Sequence, residues 1–143
     1  MRVRIVRLDS AVPMPSYQTA GAAGFDLAAS ADLTIQPGQI ALVPTGLVIA
    51  VPAGHFVGIF ARSSTPLKRG LVVANGVGVL DSDYSGQTDE LKIQLMNVTS
   101  SPVDVKRGDR LAQGVIMPFV RADFEEAAEA AGPDRGGFGS TGT

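Results

Sequence analysis

Pro37-Gly38-Gln39-Ile40-Ala41-Leu42-Val43-Pro44-Thr45-Gly46-Leu47-Val48-Ile49-Ala50-Val51-Pro52-Ala53-Gly54 sets the pattern for the whole chain. Two short apolar runs, residues 40–43 and 47–51, are fenced by Pro-Gly, Pro-Thr-Gly and Pro-Ala-Gly groups. Runs this short and this rich in Val and Ile are strands, because a helix needs roughly 10–12 residues to sustain its period. Outward from this stretch the alternation repeats: apolar or period-2 runs at 56–60, 71–74, 91–96 and 111–117, with Lys106-Arg107-Gly108-Asp109 as a further turn. The 17 Gly and 9 Pro residues supply the punctuation. The N-terminal Met1-Arg2-Val3-Arg4-Ile5-Val6-Arg7 alternates charge with apolar side chains and reads as another strand rather than a secretory leader. The expected fold is all-β, a distorted jelly-roll sandwich or barrel. Only residues 123–131 (Asp-Phe-Glu-Glu-Ala-Ala-Glu-Ala-Ala) have a helical composition, in a run short enough to serve equally as a solvated linker.

A chain of 143 residues is expected to form one domain, here residues 1–131, that buries roughly 70% of its unfolded surface without a metal or disulfide staple. Residues 132–143, Gly-Pro-Asp-Arg-Gly-Gly-Phe-Gly-Ser-Thr-Gly-Thr, hold no core-forming pattern and are expected to be a flexible tail. Cys is absent, which excludes thiolate nucleophiles, thiolate metal sites and disulfides, and fits a reducing compartment. No apolar stretch reaches bilayer length. A cytoplasmic protein without membrane attachment is therefore expected. The net charge of -2, with both signs scattered, lacks the footprint of a polynucleotide binder. A single nucleotide needs only two or three converging Arg and backbone N–H groups.

Gly78-Val79-Leu80-Asp81-Ser82-Asp83-Tyr84-Ser85-Gly86 carries the most chemistry. An apolar strand breaks there into two carboxylates, an aromatic ring and a glycine turn. If the strand continues past Leu80, Asp81 and Asp83 share a face and Ser82 points away. A carboxylate at a hairpin mouth can take a proton from water, and a nearby Tyr can lay its ring on a sugar or base. An ordinary Asx turn uses the same residues. Asn75-Gly76 just upstream is a hairpin-turn signal, and such a tip exposes backbone donors and acceptors. Lys68 and Arg69 are expected to be solvated surface. His55 is the single histidine, so neither a His cluster nor a Ser-His-Asp triad can be assembled. The tail lacks the Lys of a Walker A loop and precedes no helix, which excludes a P-loop.

Taken in order, Ala20-Gly21-Ala22-Ala23-Gly24-Phe25-Asp26-Leu27, Ala61-Arg62-Ser63-Ser64, the segment around Asp81, Arg107-Gly108-Asp109-Arg110-Leu111-Ala112-Gln113 and Arg135-Gly136-Gly137-Phe138-Gly139-Ser140-Thr141-Gly142 resemble the five motifs of the trimeric dUTP diphosphatase (dUTPase) family. The resemblance implies a homotrimer that hydrolyses dUTP to dUMP and pyrophosphate, limiting uracil incorporation into DNA and supplying the dTMP precursor. It implies that Asp81 is the general base for a water attacking the α-phosphorus, with Asp26 in support near the metal-bound waters. Ser63 would donate to the bridge between the α- and β-phosphorus atoms. Arg62, Ser64 and Gln113 would bind the phosphate chain, with Arg110 supporting that segment. Asn75 and Val79 belong to the hairpin that would read uracil, and Tyr84 would close the sugar site to a 2′-hydroxyl. In the tail, Arg135, Gly139, Ser140 and Thr141 would meet phosphate and Phe138 would stack on the base. Mg²⁺ would be held by phosphate oxygens and waters, without direct protein ligands. Each site would draw on three subunits.

Two departures from the family pattern stand out. Arg135 lies closer to Phe138 than in the commonest tail, and the spacer Gly86-Gln87-Thr88-Asp89-Glu90-Leu91-Lys92 is longer than usual. Two alternatives share the fold class. A dCTP deaminase also carries Arg-Ser-Ser, but it needs a Glu three residues before an Asn, where this chain has Gln94 before Asn97. A nucleotide-binding regulatory trimer would have no need of Asp81, Ser63 and Gln113 together.

Overall fold

The computed structural model describes residues 1–137. Eleven strands and one short helix follow in the order β1 (Arg4–Arg7), β2 (Phe25–Ala28), β3 (Leu33–Ile35), β4 (Ile40–Pro44), β5 (Leu47–Ala50), β6 (His55–Ala61), α1 (Ser64–Arg69), β7 (Leu71–Val73), β8 (Gly78–Leu80), β9 (Lys92–Asn97), β10 (Val103–Val105) and β11 (Arg110–Pro118). They form a four-stranded sheet β2-β11-β6-β8, a three-stranded sheet β4-β9-β7, and the two-stranded ribbons β1-β5 and β10-β3. Each pairing is antiparallel. The expected all-β jelly-roll class is what the chain adopts.

The core lies between the sheets. Leu27, Ile35, Val43, Ile49, Val57, Ile93, Leu95 and Val105 are fully buried, each contributing roughly 1.5–3 kcal/mol by leaving water. Period-2 alternation places them: β9 buries Ile93, Leu95 and Asn97 and turns Lys92, Gln94 and Met96 outward. Asn97 is buried but satisfied. Its Nδ2 donates to Ile35 O (2.9 Å) and Ser101 O (2.8 Å), and its Oδ1 accepts from Thr99 N (2.9 Å) and Thr99 Oγ1 (2.8 Å). Gly46 makes the β4–β5 turn in the left-handed region, at φ +67°, where an added Cβ would also come within 2.6 Å of Val12 Cγ2.

Of the two forms open to residues 123–131, the structure has the linker and no helix, while two other expectations need correction. Every described residue from Pro118 onward is exposed, so the run has no surface to pack against and is too short to hold a helix by itself. A helix occurs instead at α1, where Pro66 sits in the first turn, Lys68 and Arg69 in the last, and Gly70 closes the C-terminus at φ 60°. Arg69 is not free surface: its Nη2 pairs with Asp109 Oδ2 at 2.7 Å and donates to Asp104 O at 2.8 Å.

Candidate active site

The motif residues fall into two groups within one chain. The first gathers where β2, β6 and β11 meet. Asp26 on β2 sends one carboxylate oxygen to Arg62 Nε (2.8 Å) and the other to Arg110 Nη1 (3.0 Å), with its side chain only 13% exposed. Arg62 Nη1 also donates to Arg110 O at 3.1 Å. These bonds fix one side of the Arg62 guanidinium and leave its outer edge open to a ligand. Gln113 stands opposite Asp26 on one side and Phe60 on the other, and its Nε2 donates to Ala61 O at 3.1 Å. Gly24 leaves room for it, since a Cβ there would lie 2.9 Å from Gln113 Oε1.

A β-bulge builds this group. Between Arg110 and Ala112 the register on β2 advances by one residue only, from Ala28 to Leu27, so Leu111 is extra. Residues three apart on a regular strand face opposite ways, and one extra residue reverses that parity. Arg110 opposite Ala28 and Gln113 opposite Asp26 therefore share a face.

Ser63 precedes α1 and is exposed, with helical dihedrals and no side-chain capping bond. Its hydroxyl is not committed to the helix. Ser64 begins α1, which is pinned to β11 by Thr65 Oγ1 donating to Leu111 O at 2.9 Å, with Thr65 buried.

The second group surrounds the β7–β8 hairpin and the turn after β8. Asn75, Val79, Asp81, Tyr84, Glu90, Lys92 and Gln94 line one cavity of about 390 Å³. The strand ends at Leu80, so Asp81 and Asp83 sit in a turn rather than on one strand face, closed by Tyr84 N donating to Asp81 O at 3.2 Å. Asp81 is exposed and has no ion-pair partner among the described residues. Val79 is 62% exposed and Tyr84 45%. Gln94, not a carboxylate, occupies the place where deamination would need an acid.

The two groups do not meet within one chain. Leu80 pairs with Val57, while Arg62 lies beyond the far end of β6, a separation of about 17 Å at strand rise. Asp26 and Arg110 line a different cavity, of about 470 Å³. Within one chain Asp26 holds Arg62 and Arg110, in the group apart from Asp81.

A profile of the dUTPase family matches residues 10–142. The chain belongs to the dUTPase family. It is 48% identical to the deoxyuridine 5'-triphosphate nucleotidohydrolase of Desulfitobacterium hafniense (strain DSM 10664 / DCB-2), over 99% of this chain and 95% of that one. Among solved structures it resembles the dUTPase of Streptococcus mutans with a TM-score of 0.77 and 37% identity, covering 85% of this chain and 98% of the other. The dUTPase of Staphylococcus bacteriophage 80alpha, solved as a G164S mutant with dUpNHpp, shares the fold at a TM-score of 0.87 and 20% identity, with 99% of each chain covered.

Of the dUTPase motif residues, Arg135 is described and exposed, in a segment without regular structure. Phe138, Gly139, Ser140 and Thr141 lie outside the described residues. Sequence reading gave too little weight to Arg110, whose partnership with Asp26 depends on the bulge. Two adjacent buried positions in β11, Leu111 and Ala112, are the pattern that betrays it. No described helix is long and apolar enough to cross a membrane.

Proposed function

We propose that this chain hydrolyses dUTP to dUMP and pyrophosphate in sites shared between copies of a homotrimer. The separation of the free Asp81 carboxylate from Arg62, Ser63 and Gln113 carries this reading, since a single chain cannot bring base and phosphate binders to one substrate. The exposed apolar residues Ile40, Leu42, Val77 and Val79 support it. Leu42 and Val79 rim the Asp81 cavity, and an apolar rim of this kind asks for a covering surface. A second copy that covers it with the Arg62 end of its own β6 sheet completes the site.

Asp81 accepts a proton from water as the water oxygen bonds to the α-phosphorus. The bond from that phosphorus to the α,β-bridging oxygen breaks, and pyrophosphate leaves. Arg62, aligned by Asp26, and the uncommitted Ser63 hydroxyl donate toward the oxygens where charge grows, the term that usually dominates such catalysis. Gln113 and Ser64 hold the phosphate chain. Asn75 and the backbone near Val79 read the uracil edge, and Tyr84 packs on the deoxyribose. The tail, with Arg135, Phe138, Gly139, Ser140 and Thr141, closes over the nucleotide from a third copy.

The cofactor is Mg²⁺. Asp81, exposed and unpaired, fits a contact through water to an ion carried on phosphate oxygens, and the described residues offer no cluster of three or more His, Asp or Glu that would hold an ion directly. When bound, Mg²⁺ neutralises triphosphate charge and fixes its geometry. The reaction belongs in the cytoplasm.

Incubation with dUTP, dCTP, dTTP and UTP plus Mg²⁺, measuring pyrophosphate and ammonia, tests the assignment. Pyrophosphate from dUTP alone is the expected result. Ammonia from dCTP would establish a deaminase, and binding with neither product a regulatory protein.

A further inference from the structure

Glu90 belongs to the long spacer after the hairpin, and nothing in the proposed chemistry uses it. Its side chain is only 17% exposed, and Oε1 accepts from Gly46 N at 2.7 Å. Two bonds flank this one. Thr45 Oγ1 donates to Leu91 O at 2.6 Å, and Leu91 N donates to Leu47 O at 2.8 Å. Residues 45–47 thus clasp residues 90–91, and Glu90 supplies the one ionisable group in the clasp.

Residues 81–90 contain no strand. Their near end is fixed by Leu80 pairing with Val57, which places Asp81. Farther on, the bonds of residues 86–89 are internal: Gly86 N to Asp89 Oδ2 (2.7 Å), Asp89 N to Gly86 O (3.1 Å) and Glu90 N to Thr88 O (2.9 Å). The spacer is therefore a closed turn, and Tyr84 lies between it and Asp81 along the chain. The far anchor is the clasp. Gly46 is a firm post for it, being buried in a left-handed turn, with its carbonyl accepting Leu8 N at 2.9 Å. Glu90 and Tyr84 line the same cavity.

We propose that Glu90 is a positioning residue for substrate choice: by tying the spacer to Gly46 it holds the Tyr84 ring where it excludes a 2′-hydroxyl. The inference rests on the reading of Tyr84 as the sugar wall. Asp81, anchored by β8, keeps its place without Glu90, so the effect falls on discrimination more than on the chemical step.

The test measures kcat/KM for dUTP and UTP in the parent, E90A, E90Q and Y84A proteins, with amide exchange at Gly46. E90A should lower the dUTP/UTP ratio by about tenfold, the scale of a pocket wall displaced but still present, and should speed exchange at Gly46. E90Q, whose Oε1 still accepts from Gly46 N, should stay near the parent in both. If E90A does not fold, E90D takes its place, because its carboxylate stops a methylene short of Gly46. A ratio that falls in Y84A but not in the Glu90 variant overturns this inference alone. A ratio unmoved in both removes the Tyr84 reading and this inference with it. Equal losses in E90A and E90Q would also overturn it, by showing that the hydrogen bond to Gly46 is not the cause.

Discussion

Asp26 and Asp81 are both carboxylates at strand ends, yet their surroundings give them opposite work. Asp26 is enclosed and divides its oxygens between two guanidinium groups, whereas Asp81 is exposed and unpaired among the described residues. Replacing Asp81 by Asn keeps the shape and removes the proton acceptor. The expected loss is on the order of 10²–10⁴ in kcat with nucleotide still bound, and a variant with more than half the parent rate would disqualify Asp81 as the base. Asp26→Asn should act otherwise, because an amide has one acceptor oxygen for two arginines. Arg62 loses its alignment, and KM for dUTP should rise more than kcat falls, as steady-state kinetics would show. Asp81, Tyr84 and Arg62 were legible in the sequence because local motifs carry them. The work of Asp26 was not, since its partners lie 36 and 84 positions away in the chain.

Helix α1 shows how an element is held by its neighbours rather than by its own propensity. With six residues it is too short to be stable alone. It is fixed at one end by Thr65 on Leu111 O and at the other by Arg69 on Asp109. The hydrogen bond from Arg69, with a further one from Lys106 N, holds the Asp109 carboxyl below its usual value of 3.8. A carboxylate whose folded pKa is depressed contributes stability that is full above the unfolded pKa and is lost as pH falls through the folded one. The contribution should therefore fade below about pH 4. Melting curves between pH 7 and 3 should show the parent losing more stability across that interval than Asp109→Asn, and parallel curves would refute the assignment. Most strands were readable because short apolar runs between Gly and Pro admit little else. Strands β2, β3 and β10 were not, being three or four residues long and held by pairing to distant partners. Helix α1 left a readable trace in Pro66, the basic last turn and Gly70.

At the scale of the whole molecule, the shared-site proposal has the two residue groups of one chain serve different sites. Mixing Asp81→Asn subunits with Arg62→Ala subunits, each inactive alone, should restore part of the dUTP-hydrolysing activity, because some sites then receive an intact base from one chain and an intact arginine from another. No recovery after proven subunit exchange would rule out the shared site. Sequence motifs reveal which residues belong together but not that their own chain holds them apart; that follows only from the register of β8 on β6. The bulge at Leu111 bears on how such a molecule tolerates changes of length. Loops such as the spacer at 86–90 can gain residues without disturbing the motifs on either side. In β11 arithmetic rules: Gln113 lies an odd number of positions from Arg110, and the one supernumerary residue brings them into phase. Straightening the bulge with Leu111 kept would turn Arg110 and Gln113 to opposite sides of the sheet, whereas deleting Leu111 would leave them two positions apart and on one face. Within this strand the residue count and the bulge go together, and a family alignment that slides a gap through it would pair the wrong residues across the sheet.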